Sequence, residues 1–380
     1  MTKEILDAAE RLRKYLHKNP ELSCQEVETS AHLKALLEKE CKPDELLAFK
    51  KHGLVAVYKG VTEGKNVLIR GDFDALPIQE TNDFEHKSQN QSVSHKCGHD
   101  GHASILYGLA RVLADERPSE GTAYLLFQPA EENGDGAVGM MEDPLFKKLN
   151  PDYAVALHNL PGYDLHEIVF KEGPFTAAAN SIVIKLAGKT AHAAEPEMGV
   201  NPALAMAQIT SEILVLNKPD LDSDDFQIAT PIYSTMGEKS YGVSAGYGEL
   251  HFTLRAWKND VIQNFEKRCE EIARRIASNH NLEIGIEWTE SFFANNNDST
   301  VVKAIQRVAN QNGLKVTERN TPFKWGEDFG IFTEKYAGAM FGIGAGVDSP
   351  ALHNPDYDFP DELIETGIKM FHGLISKLQD

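Results

Sequence analysis

The chain has 380 residues, and at about 150 residues per domain that length favours two or three domains. Hydrophobic residues make up 42% and charged residues 25%, which excludes disordered, collagen-like and low-complexity classes for the chain as a whole. With 38 basic against 57 acidic residues the net charge is -19, which argues against nucleic acid or an anionic membrane surface as partner. No stretch approaches about 18 consecutive apolar residues, so no membrane span is expected. The N-terminal twenty residues lack the apolar core of a signal peptide. Four scattered cysteines (Cys24, Cys41, Cys97, Cys269) read as thiols of a reducing compartment rather than a disulfide framework. The expected location is the cytoplasm.

The chain opens on a helix, with Leu6, Ala9, Leu12, Tyr15 and Leu16 at helical spacing and Asn19-Pro20 as its stop. A second helix covers about Ser30 to Glu40. Two β-rich runs follow, Leu54–Tyr58 and Asn66–Arg70, closed by Gly60 and Gly71. After a loop rich in His, Asp and Gly come a helix from about His102 to Ala114 and strands over Gly121–Gln128 and Asp152–His158. This alternation predicts an α/β fold with a mixed, largely parallel sheet flanked by helices. Near residue 178 the rhythm changes. Strand Asn180–Leu186, helix Asn201–Leu216, strands Phe226–Ser234 and Gly248–Trp257, helix Asp260–Asn279 and strand Leu282–Glu287 give β-α-β-β-α-β, a ferredoxin-like pattern. A helix from about Thr300 to Asn312 resumes the first pattern. The expected organisation is a discontinuous domain, residues 1–177 and 291–380, interrupted by an inserted domain at 178–290.

Six segments carry residue types suited to chemistry. Cys97 and His99, separated by Gly98, suit zinc or a neighbouring transition metal, unless they are simply a polar loop. Glu131 and Glu132 directly follow a strand. Adjacent carboxylates are not expected to point one way, so one can bind metal while the other serves a reacting water; an acidic helix start is the alternative. His158 ends an apolar strand and His353 sits in a Pro-bracketed loop, each either a ligand or a structural histidine. Asp72 and Asp74, two apart, share a side if the backbone is extended, and can bind metal or orient a ligating histidine, turn chemistry aside. His192 follows the first strand of the inserted domain. It cannot join a metal cluster unless the domains close, but it can donate to a developing oxyanion.

Taken in order, these segments resemble the aminoacylase/carboxypeptidase-type family of dinuclear metallohydrolases, and within it the amidohydrolase branch with hippurate hydrolases, N-acetyl-diaminopimelate deacetylases and auxin-conjugate hydrolases. The resemblance is carried by His17–Leu22, Arg70–Pro77, Cys97–Asp100, Gln128–Glu132, Ala156–His158, Thr190–Ala194, Gly326–Phe329 and Leu352–Asn354, nearly the whole chain. It implies two divalent metal ions per subunit (zinc, manganese, cobalt or nickel). By the same resemblance Cys97, His99, Glu132, His158 and His353 are ligands, Glu131 is the general base and Asp74 supports the site. It also implies that His192 reaches an active site, that of the partner subunit, and that Arg255 binds a substrate carboxylate. The implied partners are a small N-acyl amino acid or peptide-like substrate and a second copy of the chain, joined through residues 178–290.

The sequence departs from the branch at three places. Gly242-Val-Ser-Ala245 stands where an amide-bearing segment is usual, Gly71 replaces an alanine, and Lys96 precedes Cys97 where a small residue is common. Lys96 is expected to face solvent. A dipeptidase or carboxypeptidase of the same architecture is the alternative enzyme. A non-catalytic metal- or ligand-binding protein should have lost Glu131 or a ligand, and this chain retains them all.

Overall fold

The computed structural model describes residues 1–379, which divide into two compact units, each described by itself. Of these, the first comprises residues 1–175, 295–320 and 327–379, and the second residues 176–294 and 321–326.

The first unit is built on an eight-stranded sheet. Its strands are β1 (Glu45–Ala48), β2 (Leu54–Lys59), β3 (Thr62–Asp72), β4 (Glu120–Gln128), β5 (Tyr153–Leu160) and β6 (Ile168–Phe170), with β15 (Val316–Glu318) and β16 (Ala337–Gly344) contributed from beyond the second unit. The order is β1-β2-β4-β3-β5-β16-β6-β15. β4, β3, β5 and β16 run parallel, as do β6 and β15, while β1–β2, β2–β4 and β16–β6 are antiparallel. The expected mixed, mostly parallel α/β sheet is therefore found. Helices α1 (Lys3–Lys18), α3 (His99–Asp115), α7 (Ser299–Gln311) and α9 (Leu363–Gln379) bury their apolar faces in its core. Parallel order has one consequence for chemistry: the C-terminal ends of β3, β4 and β5 lie along one edge, so the chain just after Asp72 and Gln128 and the end of β5 at His158 meet there.

Several elements went unread in the sequence, β1, β6 and β15 among them, and two of the unread elements are long. Strand β16 has the sequence Ala-Gly-Ala-Met-Phe-Gly-Ile-Gly, so its glycines hide the β-branched signature of a strand. The close approach explains them: a Cβ on Gly344 would sit 1.9 Å from the Asp164 carbonyl oxygen. Helix α9 also lies in the unread C-terminal stretch. The short helix α2 (Val27–Leu36) continues as a π-turn over Leu37–Cys41, and two further short helices, α4 (Asp135–Glu142) and α8 (Gly330–Lys335), belong to the same unit.

The second unit carries β8 (Ala178–Ala187), α5 (Ala203–Val215), β10 (Gln227–Met236), β12 (Tyr247–Ala256), α6 (Asn259–Asn279) and β13 (Glu283–Phe292). Its four-stranded antiparallel sheet has the order β10-β12-β8-β13. Along β8 and β12 buried and half-buried residues alternate, and the buried set packs with α5 and α6 into a separate core. Short strands β9 (Ala191–His192) and β11 (Val243–Ser244) pair beside it. The remaining pair is β7 (Gly173–Pro174) with β14 (Asn296–Asn297), in the first unit. Among the described residues no helix is long and apolar enough to cross a membrane.

Candidate metal centre

The parallel edge of the first unit gathers the site. Strand β3 delivers Asp72 and then Asp74. The loop before α3 delivers Cys97, and Gly98 (φ +99) makes the turn that starts the helix at His99. A Cβ at Gly98 would meet the Asn159 side-chain oxygen at 2.5 Å, so the turn admits only glycine on both counts. Beyond β4 come Glu131 and Glu132, and β5 carries His158.

Ligand-type atoms of Cys97, His99 and His158 lie within 4.8 Å of one another; so do those of Cys97, Glu132 and His353, and those of His99, Glu131 and Glu132. These overlapping triads join all six residues into one cluster. The Cys97 Sγ is 3.5 Å from His158 Nε2. His353 has a left-handed backbone (φ +66), donates its N–H to the Lys96 carbonyl at 2.7 Å, and brings Nε2 to 3.7 Å from Glu132. Its side chain is half exposed, whereas Cys97, His99 and His158 are buried.

The two buried histidines of the cluster are each oriented by the far nitrogen. His99 Nδ1 donates to the carboxylate and carbonyl of Asp74, both at 3.1 Å. His158 Nδ1 donates to the Asn159 carbonyl at 2.9 Å. Asp74 is itself held by the Ser23 hydroxyl at 2.7 Å and the Glu132 N–H at 3.1 Å. This leaves Nε2 of His99 buried and, with Glu132 Oε1 3.8 Å away, without a hydrogen-bond partner among the described residues. Two adjacent buried polar atoms without partners are costly, and a cation between them removes the cost. The imidazole, thiol and carboxyl donors suit zinc and its transition-metal neighbours, so the residues fit a metal centre.

Protonation tendencies point the same way. Burial pushes the Cys97 thiol well up, with Glu132 adding to it. Burial carries Glu132 to about 7 against the pull of His99, and lifts Glu131 well above its usual range with help from Glu327 and Glu132. Burial also holds His158 well below its ordinary value, with His102 adding to it. Burial opposes charge on His99 too, but Asp72 and Cys97 outweigh it and raise its pKa. Packed together, thiol and carboxyl groups retain protons that a bound cation would release.

The acids at 131 and 132 correct one expectation. Both place an oxygen near His99 rather than facing apart. The preceding Ala130 is left-handed (φ +53), and the Gly134 N–H closes a turn on the Glu131 carbonyl at 2.8 Å. Lys96 corrects another. It is buried, not solvated, donating to Glu80 at 2.6 Å and to the Tyr357 carbonyl at 2.7 Å, because the buried Glu80 needs a cation.

Two buried charge networks behind the cluster were not foreseen. In one, Arg70 donates to Gln128 at 3.0 Å, Glu327 at 2.8 Å and Asp328 at 2.7 Å, and also pairs with Asp72. Asp72 in turn accepts from His102 at 2.6 Å, and the Asp328 N–H donates to Glu131 at 3.2 Å. In the other, His17 bridges Asp100 at 2.8 Å and Glu80 at 3.0 Å; these partners raise its pKa to about 9 against burial. The available signal was a charge closing an apolar run, Val67-Leu-Ile-Arg70.

His192 and Arg255 lie in the second unit. His192 is exposed on β9, its Nδ1 accepting from the Ala194 N–H at 3.1 Å. Arg255, on β12, donates to the Lys324 carbonyl at 2.9 Å. Within the divergent segment, Ser244 accepts from the Asn201 amide at 3.0 Å.

Comparison with known proteins adds the family. The model of peptidase family M20/M25/M40 matches residues 68–377. An N-acetyldiaminopimelate deacetylase of Bacillus licheniformis is 30% identical, covering 98% of each chain. A hippurate hydrolase of Campylobacter jejuni is 31% identical, again over 98% of each. Among solved structures, a dinuclear metal binding peptidase of the M20 family from Bacillus subtilis superimposes with a TM-score of 0.84 at 27% identity, covering 100% of this chain and 99% of that one.

Proposed function

Because the chain belongs to peptidase family M20/M25/M40, we propose that it is the N-acyl amino acid hydrolase its relatives' names describe, working through a two-metal centre with Glu131 as general base. Cleavage of amide bonds with metal assistance is the reaction class. Both named relatives act on an amino acid acylated at nitrogen, which supports that substrate class. The observation that carries the reading is the buried, partnerless pair His99 Nε2 and Glu132 Oε1 beside Glu131.

Cys97, His99, Glu132, His158 and His353 are the proposed ligands, for zinc, manganese, cobalt or nickel. When bound, two such ions supply Lewis-acid polarisation of the scissile carbonyl and a more acidic water. Glu131 takes a proton from the attacking water and returns it to the leaving amine. The raised affinity of its buried carboxyl for protons suits that exchange. Asp74 keeps His99 in the tautomer that leaves Nε2 free. His192 donates to the tetrahedral oxyanion, and the Arg255 fork binds the substrate carboxylate.

The second unit is read as a ferredoxin-like insertion and lid, residues 178–290, supported by its β8-α5-β10-β12-α6-β13 succession. It also serves as the homodimer contact, so that His192 acts on the partner subunit. Exposed Ile232 and Tyr233 on edge strand β10 support this role. The proposed compartment is the cytoplasm, with four free cysteines in support.

The test is hydrolysis of a panel of N-acyl amino acids, with dipeptides in parallel, before chelation, after it, and after return of each metal. Turnover of N-acyl amino acids that vanishes on chelation and returns with metal is expected. Indifference to the chelator would sink the reading, and faster turnover of dipeptides would move it to a dipeptidase.

A further inference from the structure

Consecutive residues of an extended chain point to opposite sides, yet Glu131 and Glu132 both bring an oxygen within 4.8 Å of a His99 ring nitrogen. Residues 131–134 form a turn, closed by the Gly134 N–H on the Glu131 carbonyl, so the two are not extended, and the backbone inversion at Ala130 (φ +53) sets the direction in which that turn leaves β4; side-chain-bearing residues avoid that region. Something must hold it. The Ala130 carbonyl accepts from the Gly136 N–H at 2.9 Å. Its N–H donates to Glu26 Oε1 at 2.7 Å, from a residue 104 positions away. Glu26 has no solvent exposure and lies at the start of α2. Its second oxygen, Oε2, is buried with no hydrogen-bond partner among the described residues.

We propose that Glu26 is a positioning residue: by accepting the Ala130 N–H it holds the left-handed turn that aims Glu131 and Glu132 into one centre. The proposal rests on the reading of those two acids as base and ligand. Glu26 reaches neither reacting atoms nor metal; it acts through one backbone bond. Burial, with Asp74 adding to it, pushes its carboxyl to about 7, so near neutral pH it is partly a neutral acid. A glutamine side chain reproduces that form, with an acceptor at Oε1 and a donor in place of the protonated oxygen.

The experiment titrates manganese or zinc into metal-free wild type, E26Q, E26A and E26A/A130G by calorimetry, and measures kcat and KM of the loaded proteins on one N-acetyl amino acid. E26A should bind metal about 10- to 100-fold more weakly, the usual cost of losing an outer partner of a centre. Its kcat should fall more than its KM rises. E26Q should stay close to wild type. Glycine enters the left-handed region without penalty, so A130G should restore much of what E26A loses. Wild-type behaviour of E26A, equal damage in E26Q, or a folded E26A that A130G does not rescue would each overturn the proposal. If E26A does not fold, the double variant decides: recovery of folding and metal binding supports the role, and failure overturns it. Wild type is titrated first, so absence of a metal centre, which defeats the functional reading, is distinguished from a Glu26 that merely fails to matter.

Discussion

The two units hold their chemically suited residues in opposite ways. In the first, Cys97, His99, Glu131 and His158 are buried, and most are fixed by hydrogen bonds to side chains or backbone behind them. In the second, His192 stands exposed on a two-residue strand, and its one bond is to a neighbouring N–H. A buried, prearranged centre ties activity to stability, because the bonds that aim the ligands are also core bonds. A surface histidine carries no such tie. Substitutions in the first unit should therefore cost activity and often folding, and those at His192 activity alone.

Glu131→Ala sets the upper end of that scale. Removing a general base typically costs about 10²- to 10⁴-fold in rate, so kcat should fall by that order while metal content, measured by elemental analysis, stays near that of wild type. Comparable turnover in the variant would remove Glu131 from the mechanism.

Arg70→Met should show the tie to stability directly. It strands Asp72, Glu327 and Asp328, all buried, beside a side chain that cannot neutralise them. Breaking a buried pair from one side costs about 3–5 kcal/mol, to be read by denaturant unfolding of the metal-free protein. An unchanged midpoint would mean that the network does not support the centre.

His192→Ala supplies the contrast. In the proposed role of oxyanion donor, its loss is worth about 10²- to 10³-fold in kcat. An exposed substitution typically shifts stability by only about 0.5 kcal/mol either way, so melting temperature and metal content should hold. A large loss of stability would contradict the exposed position; an unchanged kcat would remove the histidine from the reaction.

The same contrast explains what could be read from sequence. Residue types suited to chemistry announce themselves, and the cluster at Cys97–His99, Glu131–Glu132, His158 and His353 was visible as unusual residues at strand ends or in loops. Asp74 apart, most of the residues that hold them do not. Arg70 and Glu327 meet across 257 positions, a pairing that spacing cannot reveal. Lys96 looked like a solvated lysine because most lysines are, and only the buried Glu80 beside it reverses that prior. Most helices and strands before residue 312 were legible from periodicity; helix α6 was expected at 260–279 and lies at Asn259–Asn279. β16 was not, because close backbone packing selected glycines over strand formers. The inversion at Ala130 was equally hidden, since alanine gives no hint of a left-handed backbone.

Glu26 offers the finest test of the buried side of the comparison, through pH. Its carboxyl has an ordinary value of 4.5 and is carried to about 7 in the fold by burial and Asp74. Below pH 4.5 it is neutral in folded and unfolded chains alike and makes no pH-dependent contribution. Between 4.5 and 7 the unfolded chain has released the proton and the folded chain still holds it, so rising pH favours unfolding. Above 7 the full cost is present and the slope ends. E26Q lacks this titration. The melting temperature of metal-free wild type should therefore fall relative to E26Q as pH rises through that window, and run parallel to it on either side. Groups that do not interact with Glu26 titrate in both proteins and cancel. A difference that stays flat from pH 4.5 to 7 would mean that Glu26 ionises as freely as a surface carboxylate, and that its unpartnered oxygen is not shielded in the way its burial implies.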